Sequence, residues 1–217
     1  PANTPKEPVA DLTMSEQGAL TLINREQYYP TQYWDGGKYT IGYGHQITGQ
    51  ESPEWKAKID RGLTEDEAYE LFLLDSHKHQ AGVRRDFAGQ NLSQNEFDAL
   101  VNMRYNTGSF GTSMTANVKG GNADDVADTM LLYNKSAGKT LPGLINRRES
   151  EASMYRNGEY PKVKTREEHK ADAVRRLEKQ WASQNIEPAR GRPTTLIQVK
   201  QAQGAYERLT GNDITQI

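Results

Sequence analysis

Between Tyr28 and Tyr43 the chain leaves helical periodicity for a run of aromatic and β-branched residues broken by Asp35-Gly36-Gly37. This switch constrains the fold more than any other feature. An Asp-Gly pair within such a run predicts a hairpin, because a tight turn needs residues that accept positive φ. Just upstream, Ala19, Leu22, Ile23 and Glu26 follow the i, i+3, i+4, i+7 spacing of one helical face, with Ser15 placed to cap it. Glu26 is therefore expected in a core-facing slot at the end of a helix that feeds a small sheet.

Downstream the pattern is helical. Thr64 with Glu67, and Ser93 with Glu96, have the spacing of capping boxes ahead of apolar periodic runs. Leu71 and Leu74 mark the face of one predicted helix. Phe97, Leu100, Val101 and Arg104 mark another, which should stop near Asn106-Thr107-Gly108. Further helices are expected at about 123–134, 145–157 and 165–184. A break over Glu187–Pro193 and a last helix at about 194–209 should follow. The predicted fold class is α+β, with a small β-hairpin lobe, a larger helical lobe and extra C-terminal helices. A cleft between two such lobes is a natural substrate site. Residues 1–13 read as a linker, 14–161 as the main domain, and 162–217 as a helical extension packed on it by Val174, Leu177 and Trp181. The chain starts at Pro1 rather than Met and reads as a piece of something longer.

Composition removes several classes of function. With 27 Lys and Arg against 29 Asp and Glu, the formal charge is −2 and the pI is near 6.2, which argues against nucleic acid as a partner. The doublets Arg84-Arg85, Arg147-Arg148 and Arg175-Arg176 read as solvated faces or ion-pair partners. There is no cysteine, hence no disulfide framework or thiolate metal site. No apolar run reaches membrane-spanning length and no signal segment is visible. Gly42-Tyr43-Gly44 lacks the third glycine of a dinucleotide loop, with Ile47 in its place. His77 and His79 are two apart, which on a helix sends them to different sides. Ser109 lacks the spacing of a nucleophile elbow.

Glu26, Asp35 and Thr40 survive this sifting. Glycoside hydrolysis needs one carboxylic acid kept protonated for the leaving oxygen, and commonly a second, ionised carboxylate that attacks or activates water. A glutamate on the core side loses solvation, which raises its pKa, whereas an aspartate in an open turn stays ionised. Position alone leaves a second reading open, in which the three are an ion-paired core residue, a turn residue and a strand residue.

The segment Leu22-Ile23-Asn24-Arg25-Glu26, followed by Asp35-Gly36-Gly37-Lys38-Tyr39-Thr40-Ile41-Gly42-Tyr43-Gly44-His45, resembles the signature of the phage lysozyme family. So do Gly62-Leu63-Thr64, Leu92–Val101, Tyr105-Asn106-Thr107-Gly108, and Asn134–Leu144 before Arg147-Arg148. The resemblance covers about residues 15–160. It implies a muramidase that hydrolyses the β-1,4 bond between N-acetylmuramic acid and N-acetylglucosamine in peptidoglycan, with no metal or organic cofactor and with inversion. By position, Glu26 matches the general acid, Asp35 the second carboxylate and Thr40 a water-positioning residue. Arg147 falls where the family places an arginine near the catalytic glutamate, with Arg148 as runner-up. Tyr43, His45 and Asn106 are assigned to support or line the cleft, with ordinary lobe packing as the equal alternative.

Two features depart from the family pattern. The Asp35 to Thr40 interval is one residue shorter than usual, and the acidic pI suggests delivery by another module, as in a tail-associated enzyme or a released antibacterial effector. In that last case an immunity protein is the expected counterpart. The expected partner is otherwise bacterial peptidoglycan, met by a monomer acting at the cell wall with no membrane insertion. A lytic transglycosylase and a non-catalytic wall-binding protein are the competing readings.

Overall fold

The computed structural model describes residues 5–136, 138–183 and 196–216. The expected break at Glu187–Pro193 lies outside the described residues. In chain order the elements are β1 (Glu7–Pro8), α1 (Glu16–Ile23), β2 (Tyr29–Asp35), β3 (Lys38–Gly42), β4 (His45–Gln46), α2 (Pro53–Arg61) and α3 (Glu65–Asp86). They continue with β5 (Asn91–Leu92), α4 (Gln94–Thr107), α5 (Thr112–Gly120), α6 (Ala123–Leu131), β6 (Lys135–Ser136), β7 (Lys139–Thr140), α7 (Pro142–Asn157), α8 (Arg166–Ala182) and α9 (Leu196–Thr210). The described residues form two compact units, one from 5–22, 76–136 and 138–163, the other from 23–75, 164–183 and 196–216. The class is α+β, as expected.

In the first unit, α4 is the central element. Ser93 and Glu96 form the predicted capping box, and Phe97, Leu100 and Val101 are sealed from solvent. Around them pack Val83, Phe87, Met103, Met114, Val126 and Met130. Gly108, at φ 78°, ends the helix, a conformation only glycine adopts cheaply. Ser15 caps α1 by accepting from the Gly18 amide at 3.0 Å. Asp98 on α4 in turn accepts from the Ser15 amide at 3.0 Å and from the Tyr160 hydroxyl at 2.6 Å. Helix α7 begins earlier than expected because Pro142 fills its first turn, where the missing N–H costs nothing. The linker expectation for 1–13 is corrected for its described part. Glu7 and Pro8 pair with Leu92 and Asn91, and Val9 and Leu12 are buried, so apolar burial holds this segment down.

In the second unit, β2, β3 and β4 form an antiparallel sheet. The turn is the expected one, with Gly36 and Gly37 at φ 56° and 97° between the paired Asp35 and Lys38. Thr64 and Glu67 make the anticipated reciprocal bonds at the start of α3, at 2.9 and 3.2 Å. Leu71 is buried, but Leu74, expected on the same face, is 43% exposed. The turn of α3 that carries Leu74 is wet on that side, and Phe72 at 2% exposure supplies the packing instead.

The extension belongs to this second unit. Val174, Leu177 and Trp181 of α8 pack with Ala202, Ala205, Tyr206 and Ile214. Helix α9 is fastened to the rest by Gln198, which donates to the Gln32 carbonyl at 2.9 Å, and by Gln201, which donates to the Asp60 carbonyl at 2.8 Å. It also packs tightly on Gly62, where a Cβ would sit 2.7 Å from the Gln201 carbonyl oxygen. Among the described residues no helix is long and apolar enough to cross a membrane.

Gly18→Ala tests the packing of α1 on Asp98. A Cβ there would lie 2.6 Å from the Asp98 carboxyl carbon, so the clash should outweigh alanine's better helix propensity. The expected net loss is about 1–3 kcal/mol by chemical denaturation. Gly143→Ala, which meets nothing within 4 Å, should leave stability unchanged or raise it by up to about 1 kcal/mol. The reverse order would refute the packing described.

Candidate functional site

Helix α1 stops at Ile23 and the chain turns, with the Glu26 amide donating to the Ile23 carbonyl at 3.0 Å. Glu26 thus lies past the helix end in a half-buried turn, which corrects the expectation of a helical core slot. The eight-residue α1 is too short for its seventh-residue periodicity to reach Glu26, because the strand β2 begins three residues later. Glu26 lines a cavity of about 270 Å³ together with Tyr28, Tyr43 and residues of the extension, namely Lys164, His169, Asp172 and Arg176.

Asp35 ends β2 and Thr40 lies in β3. Tyr33 pairs with Thr40 and Asp35 pairs with Lys38, and paired residues share a face of an antiparallel sheet. Asp35 and Thr40 are therefore diagonal neighbours on one face, so the short interval still brings them together. Asp35 is half-exposed, while Thr40 is 4% exposed.

Tyr43 and His45 are placed by carboxylates. The Tyr43 hydroxyl donates to Glu65 Oε1 at 2.7 Å. Burial first, and then the Glu65 charge, push this phenol far above the ordinary tyrosine range, so it stays a donor. Glu65 is fully buried and also receives Arg166 from α8. Arg166 extends to Asp66 at 3.1 Å and lies over the Tyr69 ring at 3.7 Å. His45 Nδ1 is 2.8 Å from Asp75, and its Nε2 is 3.7 Å from Glu51. Burial works to raise the Glu51 pKa, but hydrogen bonds from Thr48 and Gly49 outweigh it and hold the carboxyl down to about 2. His45 is thus clamped between two acids in this unit.

Asn106, Arg147 and Arg148 come together in the first unit. Arg148, fully buried, donates to Asn106 and pairs with the buried Glu151 at 2.8 Å. Arg147 reaches the same Glu151 at 3.1 Å and the Asn102 carbonyl at 3.3 Å. A buried carboxylate shared by two guanidinium groups holds its geometry because breaking it would strand a charge out of water.

The cavity residues from the extension were not anticipated. A signal was present in the sequence: His169, Asp172, Ala173 and Arg176 fall at i, i+3, i+4, i+7, and Thr165 with Glu168 forms a capping box that starts α8. Burial, then the charges of Lys164 and Arg166, lower the His169 pKa.

The phage lysozyme family profile matches residues 24–151, and the chain belongs to this family. An endolysin of Bacillus phage B103 is 33% identical over 128 residues, 58% of this chain and 46% of that protein. The chain spans about half the length of this relative and of a second from Bacillus phage PZA, where 45% is covered. An endolysin of Acyrthosiphon pisum secondary endosymbiont phage 1 is 26% identical over 151 residues, 65% of this chain and 97% of that one. Among solved structures, the endolysin from Escherichia coli O157:H7 phage FAHEc1 is 31% identical with a TM-score of 0.59, covering 70% of this chain and 98% of that one. The muramidase domain of SpmX from Asticaccaulis excentricus is 26% identical with a TM-score of 0.54, covering 66% and 98%. The fold is accordingly lysozyme-like. Helices α8 and α9 lie beyond the family match.

Arg166→Met should lower stability by about 3 kcal/mol, because it removes the cationic partner of a carboxylate that has no access to water. Adding Glu65→Gln should recover part of that loss in a double-mutant cycle. Additive losses would show that the pair does not hold the extension to α3.

Proposed function

We propose that this chain is an N-acetylmuramidase that hydrolyses the β-1,4 bond between N-acetylmuramic acid and N-acetylglucosamine in bacterial peptidoglycan, acting at the cell wall. The observation that carries this reading is Glu26, a half-buried residue of the family-matched segment that lines a cavity. Asp35 and Thr40 share one sheet face in the hairpin that follows. Glu26 gives its proton to the leaving glycosidic oxygen. Asp35 accepts a proton from the attacking water, and the Thr40 hydroxyl orients that water on the opposite face of the sugar, which leads to inversion.

Tyr43 and His45 act as supports. Tyr43 is anchored on Glu65 and His45 on Asp75, so neither carries the proton transfer. Asn106, Arg147 and Arg148 are supports as well, fixed around Glu151. No step requires a metal or an organic cofactor.

The test is digestion of purified peptidoglycan by the wild-type chain and by Glu26→Gln, with products resolved by mass spectrometry. New reducing muramic acid ends should form with wild type and fall by at least about 100-fold in the variant, the scale of a lost general acid. Anhydromuramic ends would replace this reading with a lytic transglycosylase. Intact glycan bound by a folded protein would replace it with a wall-binding role.

A further inference from the structure

Helix α8 grips Tyr43 at two points. At the hydroxyl end, Tyr43 donates to Glu65 Oε1 at 2.7 Å, and Arg166 donates to the same oxygen. Glu65 Oε2 makes no hydrogen bond among the described residues, so both donors meet on one atom and a move of either is felt by the other. At the ring, His169 packs edge-on with 6.1 Å between centroids. Arg166 and His169 stand one turn apart on α8, hence on one side of the helix. Burial, ahead of the charges of Lys164 and Arg166, lowers the His169 pKa, so a neutral ring meets the phenol.

This grip adds to a seat that begins in the family-matched segment. The backbone before Tyr43 is packed on α3: Gly42 has φ 65°, and a Cβ there would lie 3.2 Å from the Ala68 Cβ. The side-chain torsions of Tyr43 remain to be set, and partners at the hydroxyl and the ring set them. Arg166 is itself held by Glu65, by Asp66 at 3.1 Å and by stacking on Tyr69 at 3.7 Å. The capping box of Thr165 and Glu168 fixes the turn that carries it. Tyr43 and Glu26 line the same cavity of about 270 Å³, so the seat of the phenol shapes the space beside Glu26.

We infer that Arg166, which lies beyond the family match, is a positioning residue for hydrolysis: through Glu65 it fixes Tyr43 in the wall of the cavity that Glu26 lines. The inference rests on the muramidase reading. Because Arg166 acts through the cavity wall, its loss should slow the bound complex and leave substrate binding unchanged.

Kinetics on solubilised peptidoglycan, run with the full chain below the melting temperature of every variant, separate this role from a merely structural one. Arg166→Gln should lower kcat by about tenfold, within the range for a misplaced active-site geometry. KM should change by less than about twofold. Arg166→Lys, which keeps the charge but not the planar fork, should fall between, and it carries the same test at smaller amplitude if Arg166→Gln fails to fold. Leu177→Ala is the structural control, since it truncates a buried residue of the same helix that packs with Ala202 and Tyr206. It should lose stability and keep its kcat. An unchanged kcat in Arg166→Gln, or an equal kcat loss in Leu177→Ala, would overturn the inference. NMR spectra of tyrosine-labelled protein report the seat without turnover. The Tyr43 ring resonances should shift in Arg166→Gln and return towards wild type in Arg166→Lys, and absence of a shift would also overturn it. A shifted Tyr43 ring in a protein whose wild type leaves peptidoglycan intact would sink the muramidase reading and keep the grip on Tyr43. Full-rate digestion by Arg166→Gln would do the opposite.

Discussion

Glu65 has no contact with solvent, yet it carries a carboxylate, and elements of the second unit converge on its Oε1. Tyr43 donates from the residue after β3, and Arg166 arrives from the first turn of α8. Glu65 itself stands in the first turn of α3, where the helix dipole favours an anion. One buried acid therefore ties the sheet, the long helix and the extension together. A pair of this kind adds little net stability compared with an apolar replacement, but loss of one member is expensive, so it fixes which elements must be present together. The extension is on this account a working part of the unit that carries Glu26, although it lies outside the family match.

Shared anchoring has a consequence for the cavity. Tyr43 lines it and packs edge-on to His169 at 6.1 Å between ring centroids, so the bonds that hold α8 also fix part of the cavity wall. The first unit uses the same device at Glu151, which binds Arg147 and Arg148 and through Arg148 reaches Asn106. A buried carboxylate thus positions Tyr43 in one unit and Arg147 and Arg148 in the other.

Local chemistry was the legible part of the sequence. The capping boxes at Thr64 and Ser93, the cap at Ser15, the Asp35-Gly36-Gly37 turn and the glycine stop at Gly108 are decided by neighbours a few residues away, and the structure has them where spacing predicted. What depends on distant chain was not legible. Val9 and Leu12 look like linker until β5 pairs with Glu7 and Pro8 just before them. Leu74 has the periodicity of a core residue, but it is 43% exposed. Glu26 continues the α1 pattern on paper, whereas the helix ends before reaching it. The same limit hid the cavity role of His169 and Arg176. A charged amphipathic helix shows which face is apolar but not which distant residue its polar edge will meet.

Hydrolysis is the central claim, and the origin of the oxygen at the new sugar end tests it most directly. Peptidoglycan digested by the full chain in ¹⁸O-labelled water should yield muramic acid reducing ends carrying one heavy oxygen, because water is the attacking group. Muramic ends closed as internal anhydro rings, without the label, would contradict the account.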